Sequence, residues 1–352
     1  MKVETLLPLG KVDPGLRTAE TPFDIASVPH DAALVEALGY DGLMVEETKD
    51  DPFAVMALAA QATHRLSLGT AVAIAFARSP TVTAMSAWTI QKLSQGRFTL
   101  GLGPQVKGHI ERRYGMNWSA AGPWMRDYVG AVRAVWRSWQ SGERLAFESE
   151  HYNLSLMVPL FNPGAVDHPD IPIHLAAVNP VMCRVAGEVA DGMRPHPVCT
   201  RHYIESVMLP KAREGAARAG RALDDFAVCM KPLIATAADE EALQAKIRDV
   251  RARVAFYAST PAYRRCFDVH GLGELARDLS VLSKAQRWEE MPDLIDDATL
   301  NLYAAIGTYD QIAGRLRERY GGIVTNVEFS IPVATPADHD QLAQLVADVK
   351  AS

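Results

Sequence analysis

Cysteine is scarce: four in 352 residues, with no C-x-x-C pair and no histidine spacing of the zinc-finger kind. That excludes a disulfide framework and a structural zinc site, and it predicts that Cys183, Cys199, Cys229 and Cys266 stay reduced and buried. Charge of one sign is scarce too. Lys and Arg number 36 against 42 Asp and Glu, a formal net charge of −6, and the basic residues are scattered. A nucleic-acid or anionic-membrane partner would need a basic cluster that is not there. Long apolar runs are missing as well: the start MKVETLLPL has no extended hydrophobic core after its single lysine, and no later run approaches a membrane span. The expectation is a cytoplasmic protein. Several catalytic signatures are also absent, among them a Walker loop, a G-x-S-x-G elbow and an H-x-H at a strand end. Gly101-Leu102-Gly103 is followed by Pro104 and lacks the third glycine of a dinucleotide fingerprint.

What is present is 48% hydrophobic sequence, long for an ordinary domain but suited to one α/β barrel with insertions, taken as a single domain over 1–352. The segment from Gly69 to Gln105 carries the strongest local signal. A small-residue strand leads into a helix capped by Ser79 with Pro80 in its first turn, and a Gln-Gly-Arg turn then returns the chain as a parallel strand. Strands are predicted at Val3 to Pro8, Gly42 to Glu46, Leu66 to Ile74, Phe98 to Gly103, Ile173 to Ala177, Gly192 to Pro195, Phe226 to Thr236 and Val324 to Ile331. Eight is the number a closed barrel needs. Amphipathic helices separate them, such as Asp239 to Tyr257 and Thr308 to Tyr320, and Thr335 to Asp338 reads as a capping box for the last helix. Two stretches break the alternation, 106–170 and 259–302; insertions of this kind commonly build the pocket at the C-terminal face of a barrel.

Candidate site residues follow from the same pattern. Gly, Thr and Ala between Leu66 and Ile74 let a ligand approach the backbone, as do Gly101 and Gly103. The strand Ile173 to Ala177 runs through Val178-Asn179-Pro180 into a helix, whose unpaired N–H groups suit a phosphate. Glu46 and Glu47 end a strand where a desolvated carboxylate can move a proton, although two solvated acids are the plain alternative. His109 is either a proton donor or a helix-surface residue, and His196 and Arg194 sit at a strand end as catalytic or structural groups. The pairs Arg112-Arg113 and Arg264-Arg265 meet either an anion or solvent. Trp118, Trp124, Phe161, Tyr257 and Trp288 either line a pocket or pack local helices.

Three pieces, ALGYDGLMVEE, LSLGTAVAIAFARSPTVTAMSAWTIQKLSQGRFTLGLGPQ and IPIHLAAVNPVMCRVAGEVADG, resemble the luciferase-like monooxygenase superfamily across nearly the whole chain. GPQVKGHIERRYG, HGLGEL and FYASTPAYR resemble its F420-dependent oxidoreductases. The resemblance implies a (β/α)8 TIM barrel of the bacterial luciferase type, commonly a homodimer. It also implies a non-prolyl cis peptide at Ala71-Val72 behind a flat ring. The cofactor pocket it implies is built from Glu47, Ala71, Val72, Ile74, Pro104, Gln105, His109, Ala176, Ala177, Val178, Asn179, Val181 and Met182, with His109 and Glu47 as the catalytic candidates. Val178 and Asn179 depart from the family's usual glycine-rich turn, Thr48 stands where a histidine is common, and Val106 stands where sugar-phosphate-oxidising relatives carry an acid. The implied activity is hydride transfer between F420 and a small organic substrate. The alternatives are an FMN-dependent, oxygen-using monooxygenase and a non-catalytic flavin-binding protein.

Overall fold

The computed structural model describes residues 1–10 and 24–351. Its centre is a closed barrel of eight parallel strands: β1 (Lys2–Leu6), β2 (Gly42–Val45), β3 (Ser67–Thr70), β4 (Phe98–Gly103), β5 (Ile173–Ala177), β6 (Gly192–Pro195), β7 (Ala227–Met230) and β8 (Asn326–Glu328). Each strand pairs with its neighbour in chain order. The ring is completed by β8 on β1, with Val3 opposite Val327, and by β3 on β4, with Leu68 opposite Phe98. This is the (β/α)8 architecture that eight short strands separated by amphipathic helices predict.

Helices cover the barrel because each strand exposes an apolar outer face. Among them are α1 (Val28–Ala37), α2 (Pro52–Ala62), α3 (Pro80–Leu93), α4 (Lys107–Arg112), α5 (Ala121–Ser141) and α6 (Pro180–Val189). Ser79 caps α3 as predicted, accepting from the Val82 N–H at 3.2 Å. At the last helix, Pro336–Ala351, Asp338 accepts from the Thr335 N–H at 2.7 Å and from its hydroxyl at 2.8 Å. Leu342, Leu345, Val346 and Val349 form its buried stripe.

Two strand predictions need correction. Phe226 to Thr236 is not one strand: β7 ends at Met230, and the chain resumes as Leu233–Ala237, which leaves the barrel and pairs in parallel with Ala304–Thr308. Pro232 is the physical reason, since it has no N–H to donate to a ladder. Leu66 to Ile74 is also divided, into β3 and the two-residue piece Ala73–Ile74, which pairs with the end of β4. The stretch 106–170 contains α4, the long α5 and a small hairpin of Phe147–Glu148 with Asn153–Leu154. The stretch 259–302 is built from short helices, including Arg264–Asp268, Gly273–Lys284 and Asp297–Tyr303. All four cysteines are free and buried. No helix among the described residues is long and apolar enough to cross a membrane.

Backbone contact between α6 and the helix Leu209–Arg218 fixes the wall beside the site. A Cβ on Gly187 would lie 1.8 Å from the Ala212 carbonyl oxygen, and one on Gly215 would lie 1.9 Å from that of Arg184. Neither neighbour is a flexible side chain, so the helices must separate to admit even a methyl group. Gly187→Ala should lower unfolding free energy by about 2 to 3 kcal/mol in urea titration; wild-type stability in that variant would contradict this packing.

Candidate functional site

The site begins with an interruption in β3. After Thr70 the peptide bond Ala71–Val72 is cis, at the position the family resemblance implies. Thr70 anchors the approach: its hydroxyl donates to the Gly101 carbonyl at 2.6 Å and accepts from the Gly101 N–H at 2.9 Å. A Cβ on Gly101 would fall 1.8 Å from the Thr70 carbonyl oxygen, and one on Gly103 would fall 2.7 Å from Val72. These glycines are small because the strands meet there, which is a tighter reason than leaving room for a ligand.

Glu47 fastens the far side of the interruption. Its carboxylate accepts from the Ile74 N–H at 2.7 Å and from Arg78 Nη1 at 2.7 and 2.8 Å. Arg78 in turn donates to Asp51 at 2.9 Å, and Asp51 caps α2 through the Phe53 and Ala54 N–H groups. Glu47 thus spends its lone pairs on backbone and guanidinium, the arrangement of a positioning group rather than of a proton carrier.

Around this edge opens a cavity of about 810 Å³ at the C-terminal mouth of the barrel. It is lined by Glu47, Ala71, Val72, Ile74, Pro104, Gln105, Ala176, Ala177, Val178, Asn179, Val181 and Met182, so the structure brings together twelve of the thirteen candidate residues. His109 is the exception. It sits exposed on α4 outside the cavity lining, while Ile110 of the same helix is buried. Gln105 holds a left-handed φ of 58° and folds its side-chain oxygen onto the Val106 N–H at 2.9 Å. Arg112 and Arg113 are exposed and outside the lining, and Arg113 donates to the Thr48 carbonyl at 2.9 Å. Of the five aromatic candidates only Tyr257 lines the cavity. Trp118 and Trp124 pack on Phe76, Trp288 lies against Phe256, and Phe161 is exposed.

At one end of the cavity stands the start of α6. Asn179, its cap residue, makes no capping bond to it; its amide reaches across to the Ala262 carbonyl at 3.3 Å. The Val181 and Met182 N–H groups find no acceptor among the described residues. With Pro180 at the first position, they are the free donors of a positive helix end. Such an end fits a phosphate without a basic side chain. Gly122 permits the approach of α5, since a Cβ there would lie 2.6 Å from Val181.

The floor is charged, and the sequence reading missed most of it. Arg194 is ion-paired with Glu4 at 2.7 Å, a buried pair with Arg194 Nε unsatisfied among the described residues. Lys231 bridges Glu46 at 2.9 Å and Glu328 at 3.6 Å. Neither Lys231 nor Glu328 stood out, because a charge at a strand end reads as solvated; the only signal was that eight such ends converge in a barrel. His196 stacks on Tyr263 at 3.9 Å and meets Tyr257 edge-on at 4.6 Å. Burial, helped by the Lys231 charge, drives its pKa down to about 3, so it is neutral at physiological pH.

A parallel eight-stranded barrel with free N–H donors at a helix start and a slot of small residues at its C-terminal mouth has its cavity where (β/α)8 enzymes place their active sites. The chain belongs to the luciferase-like monooxygenase family, whose model matches residues 1–326. It is 40% identical over 329 residues to an uncharacterised protein of Mycobacterium tuberculosis, covering 94% of this chain and 96% of that one. It is 28% identical over 340 residues to a putative coenzyme F420-dependent oxidoreductase of the same organism, covering 90% and 92% of the two chains. The solved coenzyme F420-dependent tetrahydromethanopterin reductase of Methanopyrus kandleri shares the fold with a TM-score of 0.76 at 19% identity, covering 99% of this chain and 98% of that one. The protein is therefore an enzyme of this oxidoreductase family.

The Glu47–Arg78 pair is the most direct handle on the slot, since its side chains are only 8% and 17% exposed. Glu47→Ala leaves a largely buried guanidinium short of its main partner and frees the Ile74 N–H. We expect a loss of about 2 to 4 kcal/mol in chemical denaturation, while a change below about 0.5 kcal/mol would show that the pair does not hold the strand.

Proposed function

We propose that the enzyme binds coenzyme F420 and transfers a hydride between its deazaflavin ring and a small organic substrate. The observation that carries this choice is a second groove, of about 620 Å³, which shares Asn179 and Ala262 with the main cavity and is lined by Arg264 and Arg265. FMN ends at its phosphate. F420 continues beyond that point as an acidic tail, and a groove with two arginines just past the α6 start is where such a tail meets opposite charge. Arg264 shares its charge with Asp268 at 3.5 Å on the same helix, an exposed pairing that a carboxylate tail can replace at small cost. The deazaflavin relatives named above support the same reading.

When bound, F420 supplies two-electron hydride chemistry and leaves the protein to bind, orient and dry the site. The Val181 and Met182 N–H groups would receive the phosphate. Ala71, Val72, Gly103 and Ala176 line the cavity with small groups against which a flat ring would rest. His196, Tyr257 and Tyr263 form an aromatic cluster lining the cavity that would help exclude water from it, with the imidazole neutral and able to accept but not to donate as a cation. A homodimer acting in the cytoplasm on a small-molecule substrate belongs to the same reading.

Titration calorimetry with F420, FMN and a deazaflavin mononucleotide lacking the acidic tail separates the possibilities. We expect wild type to prefer F420, and Arg264→Ala with Arg265→Ala to weaken F420 about tenfold or more while leaving the tail-free compound unchanged. Tighter binding of FMN than of F420, equal in the two proteins, would favour the oxygen-using alternative; binding of none would defeat the proposal.

A further inference from the structure

The charged floor divides the cofactor cavity from a second, smaller space. Lys231 and Glu328 line both: the main cavity on one side, and on the other a polar crevice of about 140 Å³ bordered by Thr5, Ser330, Asp249 and Arg253. The crevice lies between β1, the end of β8 and the helix Glu240–Ala258, whose Asp249 is exposed. One carboxylate and one ammonium, 3.6 Å apart, are thus the partition between the site and a route to the surface that avoids the cofactor mouth. Glu328 differs from Glu47 in how it is held: where Glu47 is bound to backbone and guanidinium, Glu328 is ion-paired with Lys231, which Glu46 shares.

We propose that Glu328 is the acid and base of the reaction, holding the proton that accompanies hydride transfer and exchanging it with water through the crevice behind Lys231. The proposal rests on the hydride-transfer reading above. In the reducing direction a C=X bond of the substrate takes hydride on carbon from the reduced deazaflavin. The π pair moves to X, the Glu328 O–H bond breaks, and its proton bonds to X, leaving a carboxylate beside Lys231. Water in the crevice then restores the proton. In the oxidising direction the X–H proton passes to the carboxylate as hydride leaves carbon for the oxidised ring.

The charges facing Glu328 include Lys231 after β7, Glu46 after β2, Glu4 on β1 and Arg194 on β6, while Lys246, Asp249 and Arg253 of the helix Glu240–Ala258 border the same crevice. Burial pushes the Glu328 carboxyl up to about 7, Lys231 and Arg194 oppose the rise, and Glu46 and Glu4 add to it. A carboxyl in this range is present in both forms at physiological pH, which a reversible proton carrier requires.

Infrared difference titration of wild type against Glu328→Gln reads the proton without cofactor or substrate. A protonated-carboxyl band should titrate with a midpoint between about pH 6 and 8, vanish in Glu328→Gln, and move up by about one unit or more in Lys231→Met as the nearest cation is lost. With F420 and a turned-over substrate, Glu328→Gln should lower kcat about a hundredfold or more with F420 affinity unchanged, and Glu328→Asp should restore part of it. A missing band, or Glu328→Gln turnover close to wild type, would overturn the proposal. Failure of both proteins to bind F420 would instead defeat the cofactor reading, while the band still decides whether Glu328 holds a proton.

Discussion

The carboxylate of Glu47 holds the third strand of the barrel open. A continuous strand from Leu66 to Ile74 would present a regular pleated edge to the barrel mouth, with its N–H groups turned into the ladder. Instead the strand breaks after the Ala71 N–H has donated to Val45, and beyond the break, where Ala73–Ile74 pairs only with the end of β4, the Ile74 N–H is satisfied by a side chain from the loop after β2. Arg78 and Asp51 extend that support to the starts of α2 and α3. Glu47 thus fixes the far side of the interruption, while the close approach of Gly101 to Thr70 and of Gly103 to Val72 fixes the near side.

The site divides its labour between neutral and charged surfaces. At the start of α6 the site offers main-chain donors, whose polarity does not change with pH and which suit an anion without a lysine. Charge is carried instead by side chains of the strand ends, where Glu4–Arg194 is a buried pair and Lys231 is shared between two acids. Burial sets their behaviour: it holds His196 neutral and lifts Glu328 toward neutrality. Two titratable groups in one cavity are thus pushed to opposite ends of the useful range, one out of proton transfer and one into it.

How much of this was legible in the sequence depends on which force decided each element. Phe98 to Gly103, Ile173 to Ala177 and Gly192 to Pro195 were read with the bounds the structure has, because each is a short buried run between a turn and a helix cap. Phe226 to Thr236 was read too long although Pro232 marked the break, and Ala304–Thr308 was passed over because four small residues around a single isoleucine, between helical segments, have no strand periodicity. The pocket residues at 71–74 and 176–182 came from family resemblance more than from pattern. The facing of His109 was not readable, since one histidine on a six-residue helix carries no periodicity, and Lys231 and Glu328 were overlooked because burial of a strand-end charge is a property of barrel closure, not of local sequence.

The most direct test of the central claim is a crystal structure of the enzyme with F420. The account predicts the deazaflavin ring seated against Ala71 and Val72, the phosphate on the Val181 and Met182 N–H groups, and the tail running toward Arg264 and Arg265. A ring bound away from the interrupted strand, or a phosphate held by side chains elsewhere on the barrel, would contradict it.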